Sequence, residues 1–91
     1  MYTLIWSAGF TRSAKKFVKF HPELRGKFAA VLRELEHNPF QANLKYHQLG
    51  GNLKGIQAVS ITYSYRITLT IVVTDSEIIL LDVGSHDEMY Q

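Results

Sequence analysis

The sequence lacks cysteine altogether and contains only two prolines and one tryptophan among 91 residues. Without cysteine the chain has neither a disulfide framework nor a thiolate metal site. No apolar run approaches the roughly 20 residues that a membrane-spanning helix needs. The segment MYTLIWSAGF carries no basic residues before its apolar ones, unlike a signal peptide. Together with the short length, these absences predict one cytoplasmic domain over residues 1–91 without a membrane partner.

Acidic residues are scarce in the first part of the chain, although the net charge is only +2. Residues 1–55 contain nine Lys and Arg against three Asp and Glu, whereas residues 56–91 contain one against five. A strongly basic half can attract a polyanion such as nucleic acid. The same residues can equally coat the solvated faces of helices, so charge alone leaves both interpretations open.

The first 40 residues alternate between a strand pattern and two helical patterns. Residues 2–6, YTLIW, have the β-branched and aromatic character of a strand. The segment SAGFTRSAKKFVKF places apolar residues at helical spacing opposite a basic face. Pro22 suits the first turn of a second helix, and Asn38-Pro39 ends it. Its apolar stripe consists of Leu24, Phe28, Val31, Leu32 and Leu35.

From residue 44 onward the apolar period changes to two, which indicates strands. The predicted order is β-α-α-β-β-β, an α+β fold in which a helical hairpin packs on a twisted antiparallel sheet. Strand 2–6 is expected at an edge of the sheet or paired with one of the last two strands. The other strand segments are a short candidate at 44–49 and longer ones at 56–63, 65–73 and 77–83.

The strand YRITLTIVV contains an arginine in a position suited to binding phosphate. Alternation predicts that Tyr65, Ile67, Leu69, Ile71 and Val73 face the core and that Arg66, Thr68, Thr70 and Val72 face away. A guanidinium group keeps its charge and donates two parallel hydrogen bonds to a phosphate. The alternative is a surface arginine paired with an acidic side chain on a neighbouring strand.

Other candidate groups lie before this strand and at the end of the chain. Lys45 and His47 share a predicted strand face, and Lys54 follows the turn residues GGN, although each can be an ordinary surface residue. The chain ends in GSHDEMYQ, so His86 and Tyr90 closely follow the last strand. An antiparallel meander can bring His47, Arg66, His86 and Tyr90 to one face.

The segments LKYHQLGGNLKG, YSYRITLTI and EIILLDVGSHDEMY resemble the RelE/ParE superfamily of type II toxins, and are most similar to its RelE-, YafQ- and YoeB-like mRNA interferase branch. The resemblance implies a RelE-like domain with His47, Arg66, His86 and Tyr90 as the catalytic set. It also implies that Lys45 and Lys54 contact RNA. Ser60 and Ser64 depart from the YafQ-like pattern, which has a histidine and an aspartate at these places.

The same resemblance implies a metal-independent endoribonuclease that cleaves mRNA on the ribosome and inhibits translation, with no cofactor. Its expected partners are mRNA, the ribosome and a cognate antitoxin, which would also determine the oligomeric state. The antitoxin is expected to place an acidic segment over the basic helices or to displace the C-terminal tail. Two alternatives remain: a ParE-like inhibitor of DNA gyrase that lacks catalysis, and a weakened toxin that serves mainly to bind its antitoxin.

Overall fold

A five-stranded sheet with two helices packed on it forms the structure, a computed structural model that describes residues 1–85. The helices and strands are β1 (Thr3–Trp6), α1 (Ala8–Phe20), α2 (Arg25–His37), β2 (His47–Gln48), β3 (Gln57–Ser60), β4 (Tyr65–Val72) and β5 (Glu77–Ser85). The strand order across the sheet is β1-β5-β4-β3-β2. Neighbouring strands are antiparallel except for β1 and β5, which are parallel. The predicted α+β fold and the edge position of β1 are confirmed, and of the pairings that the sequence left open β1 has the one with β5.

The first helix begins at a side-chain cap and ends just before His21 and Pro22. The Ser7 hydroxyl accepts a hydrogen bond from the Phe10 backbone N–H at 3.0 Å, which satisfies one of the unpaired donors at the helix start. Phe10, Ala14 and Phe17 are buried against the sheet. The basic residues between them are exposed and form the opposite face: Arg12, Lys15, Lys16 and Lys19.

The second helix also follows its predicted pattern. Pro22 opens a short 3₁₀ turn, Pro22–Leu24, that leads directly into α2. Phe28, Val31 and Leu35 form the buried stripe of α2. The Phe28 ring lies 5.5 Å from the Phe17 ring between centroids, so the two helices share one core.

Three predicted strand details differ from the structure. The strand predicted at 56–63 forms only at Gln57–Ser60, because the chain turns there into the hairpin that leads to β4. The segment 44–49 forms a strand only at His47–Gln48, because Ala42–Leu44 is a 3₁₀ turn and Lys45 has a left-handed backbone with φ of 53°. The predicted core residue Val73 is 80% exposed, because β4 ends at Val72.

Thr68, which alternation predicts to be exposed, is buried. It lies between Ala58 on β3 and Asp82 on β5, and its hydroxyl donates a hydrogen bond to the Asp82 carbonyl at 3.4 Å. At this point the register of β4 and β5 shifts: Thr68 pairs with Asp82, whereas the next residue of β4 pairs with Leu80. The extra residue in β5 therefore forms a β-bulge, which bends the sheet beside Thr68.

Candidate functional site

A cavity of about 650 Å³ opens where the β3–β4 hairpin turns. Two cationic side chains, several hydroxyl groups and one exposed aromatic ring line it. The lining residues are Asn43, Lys45, Ser60, Ile61, Thr62, Tyr63, Ser64, Arg66 and Ser85. Two cations with hydroxyl donors are suited to an anionic ligand.

Arg66 lies near the start of β4, the middle strand of the sheet. It pairs with Ser60 on β3 and with Gly84 on β5, and its neighbour Ile67 is completely buried on the other face. The Arg66 side chain is half-buried and its Nε atom is buried. The β5 residue opposite Arg66, Gly84, has no side chain. A guanidinium on a paired strand loses little further freedom on binding a phosphate.

Lys45 lines the same cavity and also fixes the orientation of a histidine. The Nδ1 atom of His47 lies 2.9 Å from the carbonyl oxygen of Lys45. A carbonyl oxygen only accepts, so Nδ1 carries the hydrogen in this contact. In the neutral ring Nε2 is then the atom that can accept a proton.

His47 lies on the same face of the sheet as Arg66 but does not line the cavity. His47 pairs with Ala58 on β3, and Ala58 pairs with Thr68 on β4. His47 is therefore two strands away from β4, level with Thr68, which is two residues from Arg66. Ordinary strand spacings put the two Cα atoms roughly 12 Å apart. The structure thus brings Lys45 and Arg66 together and leaves His47, which is exposed, on the flank.

Lys54 is exposed and lies away from the cavity. It follows a short 3₁₀ turn, Gly51–Leu53, and precedes Gly55, whose φ of 90° favours glycine. The Thr70 hydroxyl donates to the Gly55 carbonyl at 3.2 Å and attaches this loop to β4. A role for Lys54 in binding a long polyanion stays a prediction.

The last described residue, Ser85, lines the cavity. The Val83 N–H, two residues earlier, donates to the Ser13 hydroxyl at 3.2 Å and to the Asp82 carboxylate at 2.8 Å. These bonds fix the end of β5 against α1. The sequence-predicted residues His86 and Tyr90 lie outside the described residues.

Sequence reasoning missed Tyr63 and Asn43 as members of this site. Asn43 lies in a 3₁₀ turn, and Tyr63, the last residue of the predicted strand 56–63, lies beyond the end of β3 at Ser60. Periodicity gives no direction for a side chain at either place. Ser60 and Ser64, the two departures from the YafQ-like pattern, both line the cavity beside Arg66. The cavity thus holds hydroxyl groups at both places.

A second cavity of about 440 Å³ lies between the end of α1 and strands β4 and β5. The His21 ring stands 4.5 Å from the Tyr65 ring at its wall, and the Phe17 ring lies 5.4 Å from Tyr65. The polar side chains Ser13, Lys16 and Asp82 also line this cavity.

Three further observations concern the described part of the chain. Within residues 1–85 no three His, Asp or Glu side chains are grouped so that they could hold a metal ion. Burial raises the pKa of Tyr46, and the nearby Tyr2 phenol raises it further. Tyr46 packs edge-to-face on Phe40, with ring centroids 4.9 Å apart, which indicates a structural role. No helix in residues 1–85 has the length and hydrophobicity to span a bilayer.

No protein-family model and no curated protein matches the chain. Solved structures do. YafQ from Escherichia coli strain BL21(DE3) has a TM-score of 0.83 at 18% identity over 100% of both chains. The E. coli DinJ–YafQ complex has a TM-score of 0.81 at 19% identity, again over 100% of both chains.

Two further structures come from other bacteria. A metal-bound toxin from Helicobacter pylori has a TM-score of 0.81 at 25% identity, over 99% of this chain and 100% of that one. The YoeB–YefM complex from Staphylococcus aureus has a TM-score of 0.73 at 20% identity, over 94% of this chain and 98% of that one. The chain has the RelE/YafQ/YoeB-like toxin fold, which confirms the resemblance seen in the sequence at the level of fold.

Proposed function

We propose that the protein is the toxin of a type II toxin–antitoxin pair and a metal-independent endoribonuclease that cleaves mRNA on the ribosome and so inhibits translation. The observation that carries this proposal is the cavity lined by Lys45 and Arg66, at whose edge β5 ends just before His86. The fold, shared with YafQ and YoeB structures, supports it.

Cleavage of RNA without a metal requires three functions that side chains can supply. A base removes the proton from a ribose 2′-hydroxyl, and the resulting oxygen attacks the adjacent phosphorus. A cation stabilises the extra negative charge while five oxygens surround the phosphorus. An acid then protonates the departing 5′-oxygen, so that the products are a 2′,3′-cyclic phosphate and a 5′-hydroxyl end.

Arg66 is the group proposed to stabilise the charge on phosphorus. It lines the cavity from the middle of the sheet, and its planar fork can bond two phosphate oxygens together. Removal of one such preorganised donor typically lowers a rate by roughly 10²–10³-fold. Lys45, which also lines the cavity, and Lys54, which lies outside it, would hold the neighbouring phosphates.

The two proton transfers are assigned to His47 and His86. Histidine suits them because its unperturbed pKa is about 6.5. The contact between His47 Nδ1 and the Lys45 carbonyl leaves Nε2 as the accepting atom, which supports His47 as the base. His86 would then protonate the leaving 5′-oxygen, and Tyr90 would stack on a base or orient the phosphate.

The proposed protein partner is a cognate antitoxin with an acidic segment. YafQ and YoeB were solved in complexes with DinJ and YefM, respectively. In this chain α1 offers an unbroken exposed basic face beside the end of β5: Arg12, Lys15, Lys16 and Lys19. An acidic segment on this face would lie next to the residues that lead to His86, and could thereby control the site. The oligomeric state would follow from the antitoxin.

The test is brief induction of the protein alone in bacteria, followed by primer extension on abundant mRNAs. The proposal predicts growth arrest and new mRNA ends within coding regions, both abolished by Arg66→Ala. Arg33→Ala is the matched control, because Arg33 is exposed on α2 and does not line the cavity. Growth arrest with damaged DNA and intact mRNA would instead establish a gyrase inhibitor. A folded parent protein without any effect on growth would indicate a weakened toxin.

A further inference from the structure

We infer that Tyr63 is a stacking platform for an unpaired nucleobase of the bound RNA, an inference that rests on the proposed function and extends it. Tyr63 is 97% exposed at the tip of the β3–β4 hairpin, and it lines the cavity that holds Lys45 and Arg66. It is a residue of the substrate-binding surface that the sequence patterns do not identify.

The backbone beneath Tyr63 is fixed, although its side chain is exposed. The N–H groups of Ile61 and Thr62 both donate to the Tyr65 carbonyl, at 2.9 and 3.2 Å. The Ser64 N–H donates to the Thr62 hydroxyl at 3.3 Å, and Ile61 is buried in the core. The tyrosine ring is therefore carried by an ordered turn, so little backbone freedom is lost when a ligand contacts it.

Tyr63 differs from the other exposed aromatic residues in its surroundings. The Trp6 ring packs on Phe10 at 4.8 Å, and the Phe40 ring packs on Tyr46 at 4.9 Å. Within residues 1–85, Tyr63 contacts no other ring. As far as residues 1–85 are concerned, both faces of its ring are open to a flat ligand.

Cations and an open aromatic ring together are the features that bind single-stranded nucleic acid. The cations hold the backbone, and each base can stack because every base has a π face. Lys45, Arg66 and Tyr63 line the same cavity, so a phosphate inside it would leave an adjacent base beside the exposed ring. Stacking tolerates any base, so Tyr63 would contribute affinity rather than sequence preference.

The test measures binding of a fluorescent single-stranded oligonucleotide of about eight nucleotides, within the usual site sizes of such proteins. Its ribose 2′-hydroxyls are replaced by hydrogen, so that cleavage cannot occur. Tyr63→Ala is expected to raise the dissociation constant by roughly 5- to 150-fold, the range for loss of one stacked base. Tyr63→Phe keeps the ring and should bind like the parent. Phe40→Ala is the control for an exposed aromatic residue outside the cavity.

A second ligand separates stacking from any effect on the fold. The ligands are a series of oligonucleotides, each lacking the base at one position. For the parent protein, loss of the stacked base should weaken binding relative to the intact oligonucleotide. For Tyr63→Ala, the same abasic oligonucleotide and the intact one should bind equally well. The loss in Tyr63→Ala should also persist in high salt, whereas the loss in Arg66→Ala should shrink, because salt screens charges and not stacking.

Equal binding by the parent and Tyr63→Ala would overturn this inference and leave the proposed nuclease intact. A parent that binds no free oligonucleotide would also overturn it. The nuclease proposal would then still be judged by the mRNA ends found in cells, so the two failures are distinguishable.

Discussion

Arg66 combines a rigid position with an accessible charge. Its strand neighbours Tyr65 and Ile67 face the helices, and Ile67 is completely buried. The guanidinium group is carried by the middle strand of the sheet and reaches the cavity wall. A lysine at this place would keep the charge and lose the planar pair of donors, so the two side chains are not equivalent.

Two replacements of Arg66 should distinguish the contribution of its positive charge from that of its planar pair of hydrogen-bond donors. We expect Arg66→Ala to lower the rate of RNA cleavage by roughly 10²–10³-fold. Arg66→Lys should recover only part of this loss, because a single ammonium group cannot bond two phosphate oxygens in the same plane. Single-turnover cleavage measures the rates, and circular dichroism checks that each variant is folded. Full activity of Arg66→Ala would remove Arg66 from the mechanism.

Histidine replacement addresses the proton transfers. His86→Ala should lose roughly 10²–10⁴-fold in cleavage, the usual contribution of one positioned acid or base. His37→Ala is the matched control, because His37 is exposed at the end of α2 and does not line the cavity. Cleavage rates of the two purified variants provide the comparison. Equal cleavage rates for His86→Ala and the parent would mean that His86 takes no part in the chemistry.

The sequence predicted some individual site residues and not others. Alternation along β4 placed Arg66 on the face opposite Ile67, because successive strand residues point to opposite sides. Tyr63 was missed because the strand predicted at 56–63 ends at Ser60, so that Tyr63 lies in a turn where alternation gives no direction. Thr68 was predicted wrongly, because a β-bulge and the pairing with Ala58 bury it, and these are tertiary features.

At the scale of elements, the helices were predicted within a few residues, whereas the short strand was not. Ser7 and Pro22 mark helix starts through local chemistry that the sequence shows directly. The strand predicted at 44–49 shortened to His47–Gln48 because Lys45 adopts a left-handed backbone, which lysine rarely does. The parallel pairing of β1 with β5 was left open by the sequence, because it joins the two ends of the chain.

The basic face of α1 leads to a prediction about the antitoxin. Binding of the proposed acidic antitoxin should weaken as salt rises. It should also weaken when Lys15 and Lys16 are both replaced by glutamate. Arg33→Glu on α2 is the control with the same kind of charge reversal, and it should have a smaller effect per residue. Titration calorimetry at two salt concentrations measures both effects. Affinity independent of salt would contradict an electrostatic contact.

At the scale of the whole molecule, one core joins both helices to the sheet. Leu35 of α2 is completely buried in it, together with Phe10 of α1 and Leu80 of β5. The site contributes few residues to this core, because most residues that line the cavity are polar. Changes in stability and changes in catalysis should therefore be separable.

Leu35→Ala tests this separation. We expect it to lower the free energy of unfolding by about 2–5 kcal/mol, through lost burial and a residual cavity. The remaining folded protein should cleave RNA at the parent rate, and bound antitoxin should raise its melting temperature, because a ligand of the folded state stabilises it. Thermal melts and cleavage rates normalised to the folded fraction are the measurements. A large loss of rate per folded molecule would show that the core and the site are coupled.

The chemical nature of the cut RNA ends tests the central claim most directly. If a ribose 2′-hydroxyl attacks the phosphorus, the downstream fragment begins with a 5′-hydroxyl and the upstream fragment ends in a 2′,3′-cyclic phosphate. RNA from cells expressing the parent protein should therefore acquire new 5′ ends that can be ligated to an adaptor only after treatment with a polynucleotide kinase. These ends should be absent with Arg66→Ala. New ends that carry a 5′-phosphate, or growth arrest without new mRNA ends, would contradict the account.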